Sequence, residues 1–345
     1  MDSPLFHGPG QLGIPWVDSP LFESQLATSS ASDAQKDLAR RFGRDGYLVL
    51  DGLIEPDLID EILEDSKRFY DPRAEFDDLP PQVVTLLKQG LEQAHSCRVQ
   101  DAWWVSDAVK RLAAHPRVME TLRFLYQREP IPFQTLSFPV GSEQEIHADT
   151  IHFDSLPSSF MCGVWVALQD IEADQGPVIY YPGSQKLPVV RLEHLNQWAE
   201  DRSVAAGHNY DRFVEYVQAI VDTGAFEAKR LIVPKGTVLI WSANLLHGGS
   251  RIDTPDAPRH SQVTHYFFDG CAYTAPVLSN LMVGEAFLRN VWDIGLQRHV
   301  PHVIGGRTLE PVGAYGRLQR LRLADSPAIQ DVGAVPDVNA PGMGM

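Results

Sequence analysis

The chain has 345 residues, 44% hydrophobic and 21% charged, with 45 acidic against 29 basic side chains and a formal charge of -16. That composition belongs to a globular protein long enough to bury a sizeable core. The negative excess repels phosphate backbones and anionic bilayers, so neither nucleic acid nor a membrane surface is expected as a partner.

The opening MDSPLFHGPG has neither a basic stretch nor an apolar run, so no signal peptide is expected. The longest apolar run, FMCGVWVAL at 160–168, is far too short to span a bilayer. Cys97, Cys162 and Cys271 are widely spaced and odd in number, which fits neither a disulfide framework nor a CxxC metal site. Buried, reduced thiols in a cytoplasmic protein are the expectation.

Residues 1–32 are rich in Pro, Gly and Ser and are expected to be irregular; DSPLF occurs twice there, at Asp2–Phe6 and Asp18–Phe22, too few copies for a repeat architecture. From Asp33 the pattern turns helical and runs to Gly46, a C-cap candidate. YLVLDGLI reads as a strand. EPDLIDEILEDSKRFYD reads as an amphipathic helix with Leu58, Ile59, Ile62 and Leu63 on one face. Further helices are expected near 82–94, 103–113 and 117–126.

After Pro130 come about seven short β-rich runs separated by Pro and Gly: PFQTLSFPVG, EIHADTIHF, FMCGVWVALQDI, VIYYPGS, RLIVPKG, TVLIWSA and SQVTHYFFDG. A helical insertion at about 191–222 interrupts them. The tail, residues 279–345, reads as one helical stretch and then a mobile Pro/Gly/Ala-rich end after Ser326. The expected architecture is mainly β with α. A sandwich or barrel core at about 131–270 carries a helical layer at about 33–130, and together they form one domain over 33–278.

Within EIHADTIHFDS (145–155) two His-x-Asp pairs follow one another, His147 with Asp149 and His152 with Asp154. On a regular strand, residues two apart share a face, so each pair sets an imidazole beside a carboxylate. Such a pair can supply two ligands of a 2-His-1-carboxylate metal site, or equally be a hydrogen-bonded core pair. The third ligand has to come from a distant strand. The run LIVPKGTVLIWSANLLHGGSRIDTPDAPRHS (231–261) has a strand leading to His247, then Arg259 and Ser261 entering another strand on a shared face. A guanidinium fork with a hydroxyl beside it suits a carboxylate.

A His-x-Asp, a distal His and an Arg-x-Ser a dozen residues later resemble the Fe(II)/2-oxoglutarate-dependent oxygenases, and in particular the phytanoyl-CoA dioxygenase family. RRFGRDGYLVLDGLIEPDLIDEI, GVWVALQDIEADQGPVIYYPGSQKLP and HGGS…PRHS carry the resemblance in the family's order, over roughly residues 35–270. It implies a double-stranded β-helix (jelly-roll, cupin-like) core. It also implies Fe(II) on His147, Asp149 and His247, with 2-oxoglutarate and O₂ as cosubstrates. The cosubstrate's distal carboxylate would meet Arg259 and Ser261; Gln134 is a candidate to donate to the cosubstrate and Trp165 to pack along it, with a core-strand role as the alternative for both.

The implied reaction oxidises a substrate C–H bond while 2-oxoglutarate becomes succinate and CO₂, with no catalytic residue beyond the metal centre. Hydroxylation is the leading outcome, with desaturation or cyclisation as alternatives. Related halogenases have Gly or Ala in place of the aspartate, so Asp149 favours oxygen chemistry. A cupin-like metal enzyme that does not use 2-oxoglutarate and a non-catalytic binding module are the competing classes; Arg259 and Ser261 speak against the first, and the intact triad with Arg259 against the second.

No basic cluster for CoA phosphates is present apart from Arg40, Arg41 and Arg44, so a small-molecule substrate is expected. His152, Arg98 and Trp104 are candidates to line its pocket. A monomer or homodimer is expected.

Overall fold

The computed structural model describes residues 13–69, 98–195, 202–254, 257–279, 286–312 and 320–323. The helix expected at 82–94, Cys97 and the end after Ser326 lie outside them.

The N-terminal segment departs from its irregular expectation. A single 3₁₀ turn at Trp16–Asp18 leads into helix α1 (Phe22–Thr28). Apolar burial decides this: Trp16, Val17, Phe22 and Leu26 are all core residues, and the Trp16 ring lies 5.0 Å from Phe22 and 5.6 Å from Phe124. Helix α2 (Asp33–Asp45) opens on a capping box between Ser32 and Gln35, a device worth about 1 kcal/mol. It stops at Gly46, whose φ of +79° is a left-handed conformation that glycine adopts without a Cβ clash.

Strand β1 (Tyr47–Leu50) follows, then helix α3 (Pro56–Phe69), which buries Leu58, Ile59 and Ile62 as its spacing predicts. Each fully buried isoleucine stabilises the fold by roughly 1.5–3 kcal/mol. After strand β2 (Val99–Gln100), the helix expected at 103–113 is divided into a 3₁₀ turn, Ala102–Trp104, and helix α4 (Asp107–Ala113). Ser106 makes the break: its Oγ accepts from the Val109 N–H at 3.1 Å and donates to the Asp65 carboxylate at 2.5 Å. Helix α5 (Pro116–Tyr126) completes the layer.

The β-core comprises β3 (Pro130–Phe138), β4 (Asp154–Leu156), β5 (Met161–Ala167), β6 (Val178–Tyr180), β7 (Lys229–Arg230), β8 (Val238–Ser242), β9 (His247–Gly249), β10 (Ser261–Phe268) and β11 (Ala272–Thr274). The large sheet has the order β1-β8-β5-β10-β3-β2. The small strands form a second sheet, β7-β6-β9, and a pair, β11-β4. Every pairing is antiparallel.

Alternation assigns the faces of the large sheet. Cys162, Val164 and Val166 of β5, Val238 and Ile240 of β8, and Tyr266 and Phe268 of β10 pack in one cluster with the helices. Their neighbours Trp165, Leu239, Trp241 and Val263 pack with Val178 and Tyr180 of the second sheet. This jelly-roll arrangement leaves a cavity between the sheets.

Between β6 and β7, the insertion forms a 3₁₀ turn (Leu192–Leu195) and helix α6 (Arg202–Asp222), which buries Phe213 and Val217. The described residues of the tail contain no helix, and 280–285, 313–319 and 324–345 lie outside them. The described residues form short strands β12 (Trp292–Asp293), β13 (Arg298–His299), β14 (His302–Ile304), β15 (Arg307–Val312) and β16 (Arg320–Leu323). Backbone bonds to the core take the place of helical ones, from Ile294 N–H to Pro132 O at 2.8 Å and from Val303 N–H to Cys271 O at 2.9 Å. Among the described residues no helix is long and apolar enough to cross a membrane.

Candidate metal and cosubstrate site

EIHADTIHF does not form one continuous strand. It makes a single bridge at His147, a 3₁₀ turn at Asp149–Ile151, and then β4. Thr150 pins the turn, with its N–H to Ala243 O at 3.2 Å and its hydroxyl to Asn244 Oδ1 at 3.0 Å. The turn swings Asp149 over the inner face of the large sheet.

There the register sets up a row across four strands: Gln134 opposite His265, His265 opposite Gly163, and Gly163 opposite Trp241. Gly163 leaves a gap that the Trp241 indole fills; a Cβ there would sit 2.3 Å from two ring carbons. From that position the indole N–H donates to Asp149 Oδ2 at 2.7 Å. His265 Nε2 lies 3.7 Å from the same oxygen, and its Nδ1 is 3.0 Å from Gln134 Oε1. The carboxylate is therefore held from two sides.

Reciprocal backbone bonds of 2.9 Å join His147 to His247, bringing their rings to 4.5 Å. Each ring donates Nδ1–H to a nearby carbonyl, His147 to Glu145 O at 2.8 Å and His247 to Leu245 O at 2.9 Å. A carbonyl only accepts, so these bonds fix the tautomer and leave the Nε2 lone pairs facing Asp149. Those nitrogens are 3.7 and 3.8 Å from Asp149 Oδ1, and one ligand atom from each of the three residues lies within 4.8 Å of the others. Burial, the largest cause in each case, lowers the pKa to about 3 for His147 and about 4 for His247 and His265. Neutral imidazoles beside one carboxylate are a donor set suited to a divalent transition metal with open positions.

On the same wall lies Arg259, only 2% exposed. Among the described residues its side chain makes one hydrogen bond, a long one from Nη2–H to Val140 O at 3.5 Å, and its guanidinium stands 5.7 Å from the Trp165 ring. Among the described residues Nε and Nη1 have no partner, nor do Ser261 Oγ and Trp165 Nε1. Burial lowers the Arg259 pKa to about 10. A buried guanidinium with idle donors is costly unless a ligand anion meets it, so this wall fits the distal end of a dicarboxylate.

The cavity of about 250 Å³ gathers His147, Asp149, His247, Arg259, Gln134, Trp165, His152 and Arg98 from the sequence expectations. Ser261 is fully buried and does not line this cavity; it opens the strand that carries Val263 and His265, two residues after Arg259. Trp104 is a correction. It is 48% exposed, stacks on Trp103 at 4.2 Å and borders a separate surface recess.

Asp154, the rival carboxylate, is turned away from the site. It is engaged locally, accepting from Ser158 Oγ at 2.8 Å and Ser159 N–H at 2.9 Å. Arg40, Arg41 and Arg44 are spent on surface pairs with Glu23, Asp37 and Asp45.

Sequence reasoning missed His265, Trp241 and Arg289, which also line the cavity. His265 was within reach, since Arg259, Ser261, Val263 and His265 continue one alternation. Trp241 needed the Gly163 pairing, and nothing in the sequence pointed to Arg289.

Fold and donor set together define a cupin-type Fe(II)/2-oxoglutarate oxygenase. The chain belongs to the phytanoyl-CoA dioxygenase (PhyH) family, whose sequence profile matches residues 42–261. It is 22% identical over 273 residues to phytanoyl-CoA dioxygenase domain-containing protein 1 of Danio rerio, a match spanning 66% of this chain and 87% of that protein. Among solved structures it resembles EctD from S. alaskensis with 2-oxoglutarate and 5-hydroxyectoine, with a TM-score of 0.50, 21% identity, and 78% of this chain and 81% of that one covered. It also matches the non-heme α-ketoglutarate-dependent epimerase SnoN from nogalamycin biosynthesis, with a TM-score of 0.49, 21% identity and coverage of 72% and 89%.

Proposed function

We propose that this chain is an Fe(II)- and 2-oxoglutarate-dependent dioxygenase that hydroxylates an unactivated C–H bond of a small or medium-sized organic molecule. One juxtaposition carries the reading. Two tautomer-fixed histidines and a carboxylate converge in the cavity that also holds a buried, unsatisfied guanidinium. His147, Asp149 and His247 would hold the iron, and Arg259 with Ser261 the distal carboxylate of 2-oxoglutarate. The bound iron and cosubstrate supply the oxidant, giving succinate and CO₂ as co-products.

The protein's own part is positioning. Trp241 and His265 fix the Asp149 carboxylate, and the Nδ1–H bonds of His147 and His247 hold their rings in place. Trp165 walls the cosubstrate channel beside Arg259 and, with Phe138 and Val263, keeps water from it. Gln134 is within hydrogen-bond reach of His265 and steadies that ring.

A cytoplasmic setting, as a monomer or homodimer, agrees with the buried free thiols of Cys162 and Cys271. Anaerobic titration with Fe(II) and then 2-oxoglutarate tests the reading. A visible metal-to-ligand charge-transfer band is expected in the wild type and should be lost in His147→Ala; no band in the wild type would overturn it.

A further inference from the structure

The cavity carries more positive charge than iron and 2-oxoglutarate use. Its lining contains three arginines, Arg98, Arg259 and Arg289, but one carboxylate, Asp149, in a chain of formal charge -16. Asp149 and the dianionic cosubstrate balance Fe(II) and Arg259. Arg289 is then left with no counter-charge in the cavity lining, and Asp101, outside that lining, is the one carboxylate that acts on it.

Arg289 comes from the tail, outside the family match, and is fixed in place. Its guanidinium stands 4.4 Å over the Phe153 ring, and Nη1–H donates to His152 O at 3.2 Å. Among the described residues it makes no ion pair. The carboxylate closest in influence, Asp101, is committed elsewhere: it accepts from Thr135 N–H at 3.0 Å, Trp103 Nε1–H at 3.1 Å and Gln100 Nε2–H at 3.3 Å. The rest of the Arg289 fork is therefore available to the cavity it lines. Phe153 and His152 directly continue the turn that bears Asp149, so this guanidinium is anchored on the metal's own segment.

We infer that Arg289 binds a carboxylate of the substrate, so that the substrate of this site is a small organic acid; this rests on the iron and 2-oxoglutarate reading above. A guanidinium already donating one N–H keeps donors for one more planar partner, and a carboxylate matches that edge and neutralises its single charge. A phosphate dianion would need the exposed Arg98 as well as Arg289 to balance it, whereas a carboxylate is matched by Arg289 alone. Arg98, exposed at the cavity, adds attraction for an incoming anion. Held on this arm, the acid presents C–H bonds close to its carboxylate to the metal side.

The experiment uses the full chain loaded anaerobically with Fe(II) and 2-oxoglutarate. The charge-transfer band is checked first; its absence counts against the underlying reading, not against Arg289. A set of small aliphatic, aromatic and amino-acid carboxylates is then titrated by calorimetry, each beside its primary amide and the corresponding phosphate ester. Acids are expected to bind about tenfold or more tightly than their amides, without displacing 2-oxoglutarate. Arg289→Gln should erase that preference while the charge-transfer band persists, which also shows that the variant is folded. Arg289→Lys should keep part of the preference. The inference is overturned if no acid of the set outbinds its amide, if phosphate esters outbind the acids, if acids bind only by displacing 2-oxoglutarate, or if the preference survives Arg289→Gln.

Discussion

Replacing Arg259 with methionine should move stability and cosubstrate binding in opposite directions. In the unliganded protein the guanidinium is 2% exposed and has two nitrogens without partners. Burial lowers its pKa from the ordinary arginine range to about 10, so the folded state disfavours the charged form. At roughly 1.4 kcal/mol per pK unit, that gap is on the order of 3 kcal/mol. Methionine removes the penalty, and loses the 3.5 Å bond to Val140 O and the contact with Trp165, together about 1–2 kcal/mol. The expected net change is a gain of about 1–2 kcal/mol for the unliganded chain. Binding changes the other way, since losing a buried charge-assisted pair costs about 2–5 kcal/mol, or roughly 30- to 4,000-fold in Kd. Thermal unfolding with and without 2-oxoglutarate reads the first effect, and anaerobic titration of the charge-transfer band reads the second. A variant with a lower melting temperature and unchanged 2-oxoglutarate affinity would refute the reasoning.

Trp241→Phe removes the 2.7 Å bond to Asp149 and should weaken metal binding by about 10- to 100-fold, measured by Co(II) competition. Gly163→Ala should do the same from a distance, because its Cβ would displace the indole; unchanged Co(II) affinity in both would remove Trp241 from the site. His147, His152, His247 and His265 have folded pKa values of about 3 to 4 against an ordinary 6.5. The unfolded chain therefore takes up protons first, so metal-free stability is fully present above about pH 6.5 and is lost progressively as pH falls towards 4. A melting temperature that stays flat between pH 7 and 5 would contradict this. With Asp149 in place, turnover in ¹⁸O₂ and excess chloride should give an oxygenated product by mass spectrometry, and a chlorinated main product would refute the ligand assignment.

What the sequence made legible follows the range of each interaction. Strands β3, β5, β8 and β10 were readable because alternation is local, and the metal candidates because His-x-Asp, His247 and Arg-x-Ser come in a recognisable order. The helix at Phe22–Thr28 was hidden by Pro- and Ser-rich composition, since only its packing against Trp16 and Phe124 reveals why it forms. Trp104 looked like a pocket residue beside Arg98, but its ring stacks on Trp103 at a separate surface recess. The strand-like bonds of the described tail to Pro132 and Cys271 were not legible, because those partners lie more than 150 and about 30 residues away in sequence. Trp241 and His265 required knowing which strands are neighbours, and that is fixed only when the sheet closes.

Arg289 lies beyond the last residue of the family match, whereas the metal candidates and Arg259 all precede that boundary. A ribosome delivers this chain N-terminus first, so every group assigned to iron and 2-oxoglutarate leaves the exit tunnel before the one assigned to the substrate. The same order makes the enzyme separable by grafting. A chimera that takes residues 279–345 from a relative changes the guanidinium over Phe153 while leaving His147, Asp149, His247 and Arg259 untouched. Such a chimera is expected to change the acid preference and keep the charge-transfer band.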